Sequence, residues 1–588
     1  MPLRIAILAP LFLLVPNALS AQARDPIADR IFRLGMDSSQ VEPLAQVLLD
    51  SIGPRLTGTP GMSAASDWVM KKYREWGIEA RRHEYGTWRG WRRGVSRIEL
   101  MEPRVRSLEG QMLAWSPGTA QPVTAEAIVL PKFADSAEFV RWLPQARGKV
   151  VLLSPAWPTC RPSEDWIQFA SAESKARMDT AVAEMQREWA VMTGENGRPD
   201  GSKLYRGTGY TLSLGTGSLG VRLEQAGVAG MVTSRTKLRF ENPFSSGGGA
   251  GRGGGFGGAE AGPGSMRGGG PAASRARSGG GFGFDSERGS GGWGVIEVFE
   301  TYNTTAPAVT LTCEDYGLLY RLAENGQKPM VRLDLDAELL GEVPAFNTIG
   351  MIKGTEKPDE YVMLSAHFDS WDGSSGATDN GTGTVMAMEA MRILEQAYPN
   401  PKRTILVGHW AAEENGLIGS RAFAEDHPEI MKGLQGLFNQ DNGTGRIQSI
   451  SAAGLTAIGP HLKRWYENLP AFYTDSLSDN VVAWNFADRP TGNPGGTDSA
   501  VFACYGTPAF GLGALGWNYG TYTWHTNRDT YDKVVFDDLK HNATLAALLA
   551  YQASEDPGFI ARDKSPGEWP ANWPDNCGKA PRQTRPRL

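Results

Sequence analysis

Residues 361–383 read YVMLSAHFDSWDGSSGATDNGTG, and the change of texture inside this stretch decides the fold. The segment 361–366 is a short apolar run with the length and composition of a buried strand. His367, Phe368, Asp369 and Ser370 follow at its end, then a turn rich in glycine and serine, and over 385–397 the apolar residues recur at helical spacing. The same alternation continues outward. Segments 404–407, 436–438 and 508–512 read as further buried strands, and 417–425 and 537–553 as helices. This order predicts an α/β fold in which a mostly parallel, mixed sheet is sandwiched by helices.

Upstream the texture is helical, with Ile27, Ile31, Val41, Leu44, Val47 and Leu48, then Ala65, Trp68, Val69 and Tyr73, spaced as on amphipathic helices. Between them, 52–61 reads IGPRLTGTPG, a loop enforced by glycine and proline whose simplest reading is an interhelical connection. Short β-rich runs at 127–130, 149–153, 229–233 and 308–311 suit a smaller inserted domain. Segment 245–294 is dominated by glycine and is expected to be a disordered surface loop, because it buries too little apolar surface to offset its ordering entropy. Glu260, Asp285 and Glu287 dilute its arginines, so a linker is favoured over a nucleic-acid ligand. Segment 563–588, rich in proline and charge, is expected to be an unstructured tail.

A chain of 588 residues exceeds one ordinary core, so two folded units are expected. The formal charge of −6 supplies no basic field for nucleic acid. Residues 1–23 carry one basic residue, an apolar run and small residues at Ala21 and Ala23, the pattern of a signal peptide cleaved after Ala23. That run is too short for a membrane span, and no later stretch is apolar enough, so the reading is an exported protein, periplasmic or secreted, without an integral span. Cys160, Cys313, Cys504 and Cys577 form no C-x-x-C pair, which argues against a thiolate zinc site or a thioredoxin-like redox centre. Export permits disulfides, and the three possible pairings stay open.

The chemistry gathers where strands end, as it does in open α/β sheets. His367 and Asp369 follow the first of these strands, Glu413 and Glu414 the second, and Asp441 the third. Asp379 opens a helix, where a plain N-cap would explain it alone. His525 follows the last strand and a glycine-rich loop. Taken together, two histidines and three carboxylates form a mixed N/O set suited to zinc, and one shared carboxylate holds two ions close together. His83, His409, His427, His461 and His541 lack ligand neighbours and are read as structural or solvated.

The segments SAHFDS (365–370), DNGTG (379–383), EENGLIGS (413–420), NQD (439–441) and HTNRDT (525–530) match, in order, the motifs of the M28 family of dinuclear zinc peptidases. The chain resembles in particular those members that carry an inserted protease-associated (PA) domain, in the carboxypeptidase Q-like and aminopeptidase branch. Segment 52–61 shares in that resemblance. The resemblance implies a zinc exopeptidase domain over 24–115 and 325–562 and a PA-like insertion over 116–324. By the same resemblance His367 and Asp441 hold one zinc, Glu414 and His525 the other, and Asp379 bridges the two Zn2+ ions. Glu413 then acts as general base on a peptide substrate, and Asp369 accepts the second ring N–H of His367. The loop 495–499 resembles the family's substrate-side loop, although a turn and helix cap explains it as well. Gly381-Thr382-Gly383 departs from the small residue and Ser or Ala of many relatives, which affects local packing. Two rivals are a single-zinc glutaminyl-cyclase-like acyltransferase and a non-catalytic binding protein on the same scaffold. Substrate terminus, side-chain preference and homodimer formation are left open by the sequence.

Overall fold

The computed structural model describes residues 25–133, 136–193, 219–234, 301, 303–490, 496–569 and 577–582. The signal-peptide segment, the glycine-rich segment 245–294 and residues 583–588 lie outside them. Helices α1 (Pro26–Asp37) and α2 (Pro60–Glu75) lead into a long strand, β1 (Glu79–Glu102). Short strands β2 (Arg106–Ser107), β3 (Gly110–Met112), β4 (Val123–Val129), β5 (Val150–Leu152), β6 (Gly230–Thr233) and β7 (Ala308–Leu311) follow. A second long strand, β8 (Met330–Ile352), returns to β9 (Lys357–His367), α3 (Thr382–Ala397), β10 (Arg403–Trp410), α4 (Ile418–Asp426) and β11 (Leu434–Asn439). The chain then forms β12 (Ile447–Ala453), β13 (Ala483–Ala487), α5 (Asp498–Cys504), β14 (Ala509–Ala514) and α6 (Phe536–Glu555).

The centre of the sheet runs β14-β11-β9-β10, all parallel, flanked by antiparallel β12 and β8. Every residue of β10, and every residue of β9 from Val362 onward, is buried. Continuous apolar runs of this kind belong to parallel strands covered on both faces. On one face α1, α3 and α6 pack together, and α6 is buried along nearly its whole length. On the other face lie α4 and α5. All four parallel strands therefore deliver their carboxyl ends to one edge.

The long ribbon of β1 and β8 was not anticipated. These strands pair antiparallel from Glu79↔Met351 to Glu102↔Met330, with register breaks at Glu84/Gly86, Gly90/Trp91, Arg93/Ser96 and Leu100/Glu102. Each break flips the side-chain alternation, so period-two patterning is never sustained long enough to read. The ribbon joins the central sheet to a second core, where Ile98, Leu100, Leu108 and Met112 pack with Val150, Val232, Val309 and Leu333. That core draws on residues from both sides of 115/116 and 324/325.

The tail differs from its expected unstructured state. Residues 577–582 lack a strand or helix, yet Cys577 is bridged to Cys504, a second disulfide joins Cys160 and Cys313, and Arg582 binds Glu425 and Asp426. The Arg582 carbonyl also accepts the Thr87 N–H on β1 at 3.0 Å. Covalent and ionic ties fix what the composition, poor in apolar residues, would have left loose. Among the described residues no helix is long and apolar enough to cross a membrane.

Candidate metal centre

Strand β9 ends on His367, and its ring is completely buried. The Nδ1–H donates to the main-chain carbonyl of Asp369 at 2.9 Å, which turns the Nε2 lone pair toward Asp379 Oδ1 and Asp441 Oδ1, each 3.2 Å away. On the other side His525 Nε2 lies 3.2 Å from Asp379 Oδ2 and 2.8 Å from Glu414 Oε2. The five residues thus form two trios, His367–Asp379–Asp441 and Asp379–Glu414–His525, that share Asp379 with one oxygen directed to each.

The donor set fits divalent ions. Asp379 Oδ2 and Glu414 Oε1 are buried with no hydrogen-bond partner. Carboxylate oxygens left so cost several kcal/mol unless a cation satisfies them, and two imidazoles with three carboxylates are the ligand types zinc takes. Burial, opposed by His525 among others and reinforced by Asp379, pushes the Glu414 carboxyl up to about 7. Burial alone would lower His525, but Glu414 and Asp379 hold it at about 9. Acids and imidazoles packed this closely carry mutually dependent charges that a metal ion would neutralise.

Neighbouring groups fix each ligand. Asp529, four residues after His525, accepts the Thr378 N–H at 2.7 Å and the Asp379 N–H at 3.0 Å. Trp371 Nε1 donates to Glu414 Oε2 at 2.9 Å, and Trp524 stacks on His525 with ring centroids 3.8 Å apart. Asn380 Nδ2 donates to the Gln440 carbonyl at 2.8 Å, tying the Asp379 turn to the residue before Asp441. Ala412 and His525 adopt left-handed φ of 54° and 58°, conformations that non-glycine residues adopt at some cost and that gather at functional sites.

Glu413 is buried beside the first trio, and burial, with Asp441, Asp498 and Glu414 adding to it against His367, raises its carboxyl well above the usual range. The role expected of the Asp369 carboxylate needs correction. Its Oδ1 is 3.8 Å from the His367 ring, and the ring is served by the Asp369 carbonyl instead. The carboxylate accepts the Glu413 N–H at 3.1 Å and the Thr57 hydroxyl at 3.3 Å, while that hydroxyl accepts the Ala412 N–H at 3.0 Å. Asp369 therefore anchors the backbone of Glu413.

Three residues escaped the sequence reading. Asp498, within the 495–499 loop left unassigned, is fully buried at the start of α5, and burial raises its carboxyl to about 7 beside Glu413. Tyr519 packs over Gly443, where an added Cβ would press to 3.1 Å from the Tyr519 side chain, and its hydroxyl lies against Asp379. Arg55, in the 52–61 loop, is completely buried. Arg55 and Asp498 lie in loops that the resemblance had marked without singling out a residue, and Tyr519 carried no signal beyond a polar residue near glycine. The other histidines all sit away from the trios: His409 binds the Tyr73 hydroxyl, His83 binds Asp426, and His461 binds Asp556.

Residues 347–550 match the family model described as Peptidase family M28. Over that segment the chain is similar to peptidase family M28. It is 23% identical over 399 residues to carboxypeptidase Q of Mus musculus, covering 68% of this chain and 64% of that one. It thus spans just under two thirds of that relative's length. The glutamate carboxypeptidase 2 homolog of Caenorhabditis briggsae is 32% identical over 202 residues, 32% of this chain and 25% of that one. Among solved structures, a peptidase M28 precursor from Shewanella amazonensis SB2B superposes with a TM-score of 0.55 at 20% identity, covering 91% of this chain and 97% of that chain. This last likeness establishes the M28 fold, with its large mixed sheet flanked by helices.

Proposed function

We propose that this M28-like protein is an exported dinuclear zinc exopeptidase that hydrolyses dipeptides or short peptides. One observation carries the reading: two ligand trios share the two oxygens of Asp379, with a buried acid, Glu413, beside them. His367 and Asp441 would hold one zinc, Glu414 and His525 the other, and Asp379 both. When bound, the ions lower the pKa of water toward about 7 and polarise the scissile carbonyl.

The remaining work falls to the chain. Glu413 takes the proton of the attacking water and delivers it to the departing amine. Its burial beside the first trio keeps the carboxyl out of bulk water, where it can hand a proton from one reacting group to the other. Asp369 keeps the Glu413 backbone in register, and the Nδ1 bond to the Asp369 carbonyl keeps Nε2 of His367 free for metal. The Tyr519 hydroxyl, against Asp379, is placed to donate to charge developing on the substrate oxygen.

Zinc content and hydrolysis of a panel of dipeptides and N- or C-blocked peptides test the proposal. Wild type should hold two zinc ions and cleave from one end only. Glu413→Gln should keep both ions and lose roughly 10²–10⁴-fold in kcat. One zinc per chain together with cyclisation of N-terminal glutamine would replace this reading with the acyltransferase, and an active Glu413→Gln would remove Glu413 from the mechanism.

A further inference from the structure

We propose that Arg55 is a positioning residue that sets the distance between His367 and Asp379, and so governs metal binding at the His367–Asp379–Asp441 trio and not at its neighbour. The inference rests on the two-metal reading above and concerns which half of the centre the loop 52–61 supports.

The guanidinium is completely buried, and it donates to four main-chain carbonyls rather than to carboxylates. Nε donates to the Phe368 carbonyl at 2.8 Å, Nη1 to those of Gly53 at 3.1 Å and Ser375 at 2.8 Å, and Nη2 to that of Gly376 at 2.9 Å. Phe368 directly follows His367, and Gly376 lies three residues before Asp379. One planar fork thus spans both ends of the loop that separates the two ligands. Lysine cannot do this, because its single ammonium is a point charge without a fixed fork.

The loop is built around this clamp. The Arg55 N–H donates to Ser370 Oγ at 3.1 Å, and the Ser370 N–H returns to the Arg55 carbonyl. Gly376 has φ of +60°, and a Cβ there would fall 2.2 Å from Ser370 Cβ, so only glycine lets the chain fold back far enough to present its carbonyl. Burial lowers the guanidinium to about 10, against the opposing pull of Asp529, Asp369 and Asp379, so it stays charged at neutral pH.

The second trio is held by different means. Asp529 bonds the Thr378 and Asp379 N–H groups, and the Asp529 carbonyl accepts the Ala377 N–H at 3.2 Å, which ties Asp379 to the His525 segment directly. Trp371 holds Glu414. Among the described residues, the His367 and Asp379 segments are joined by the Thr384 hydroxyl, which donates to the His367 carbonyl at 3.0 Å, by the contact of His367 Nε2 with Asp379 Oδ1, and by the Arg55 fork, which alone bonds the main chain at both ends of the intervening loop.

The test is metal counting on purified variants, with chelator competition for affinity. Arg55→Lys and Arg55→Met should each retain one zinc, the lost site being weakened roughly 10–100-fold, the range for groups that orient ligands. Adding Arg55→Lys to His367→Ala should leave the single remaining ion in place, whereas adding it to His525→Ala should strip the protein of zinc. Should the arginine variants fail to fold, Ser370→Ala removes only the acceptor of the Arg55 N–H and should weaken the same site selectively. Two ions held at wild-type affinity in Arg55→Lys and Ser370→Ala, or equal loss from both single-ligand backgrounds, would overturn the assignment. A wild type that never binds two ions would instead sink the two-metal reading.

Discussion

The two halves of the metal centre are built on different foundations. His367 stands at the end of a central strand, has no solvent exposure and is steadied by the Asp369 carbonyl at its ring and the Thr384 hydroxyl at its own carbonyl. His525 keeps 13% of its surface, sits on a loop beyond β14 and is steadied by the faces of Trp524 and Trp371 and by Asp529 close behind it. One half borrows the rigidity of the sheet. The other has to be assembled by side chains brought from separate loops, and it retains some contact with solvent.

The strongest way to break this contrast is to remove the residue common to both halves. Asp379→Ala should abolish hydrolysis and leave purified protein without zinc, as measured by elemental analysis, since each trio falls to two ligands. Retention of one ion would show that the halves are more independent than their geometry allows.

A milder change sharpens the contrast by touching the outer half alone. Trp371→Phe deletes the donor to Glu414 Oε2 while keeping a ring against His525. Metal affinity there should weaken roughly 10–100-fold in chelator competition, with the His367 half unchanged.

The smallest effect concerns the floor beneath the inner half. His409 on β10 is buried against Phe368 and the Tyr73 hydroxyl, and burial lowers its imidazole to about 3. Below an ordinary histidine pKa of about 6.5 the unfolded chain takes up a proton that the folded one refuses, so the stability from this residue is complete above that pH and lost as pH falls toward about 3. The loss should reach about 2 kcal/mol by pH 5. Denaturant titrations across pH 5–7 should show this slope in wild type and a flatter one in His409→Leu.

The same contrast explains what could be read from the sequence. Ligands at the ends of β9, β10 and β11 were legible because a buried strand is a continuous apolar run and its terminus is therefore marked. Asp379 and His525 became legible only in company, since a helix cap and a loop histidine have commonplace explanations. Arg55, Asp498 and Tyr519 were hidden because their significance lies in burial and in the chain segments they touch, and neither is a property of neighbouring residues. The Asp369 carboxylate was placed one contact away from its observed partner, because main-chain carbonyls compete for imidazole N–H groups and sequence reading weighs side chains first. Of the architecture, the alternating centre was legible and the ribbon was not, its four register breaks having scrambled the alternation that would have announced it.

That ribbon also has a consequence for how the molecule can be altered. Glu102 lies opposite Met330, so the chain leaves for the second core and comes back from it at adjacent points. Whatever is threaded between them enters and exits through one doorway, and changes in its length need not propagate into the sheet. In engineering terms the two strands are a socket: another module with neighbouring ends could be seated between 102 and 330 provided that it covers Ile98, Leu100 and Leu333, which the ribbon lends to the second core.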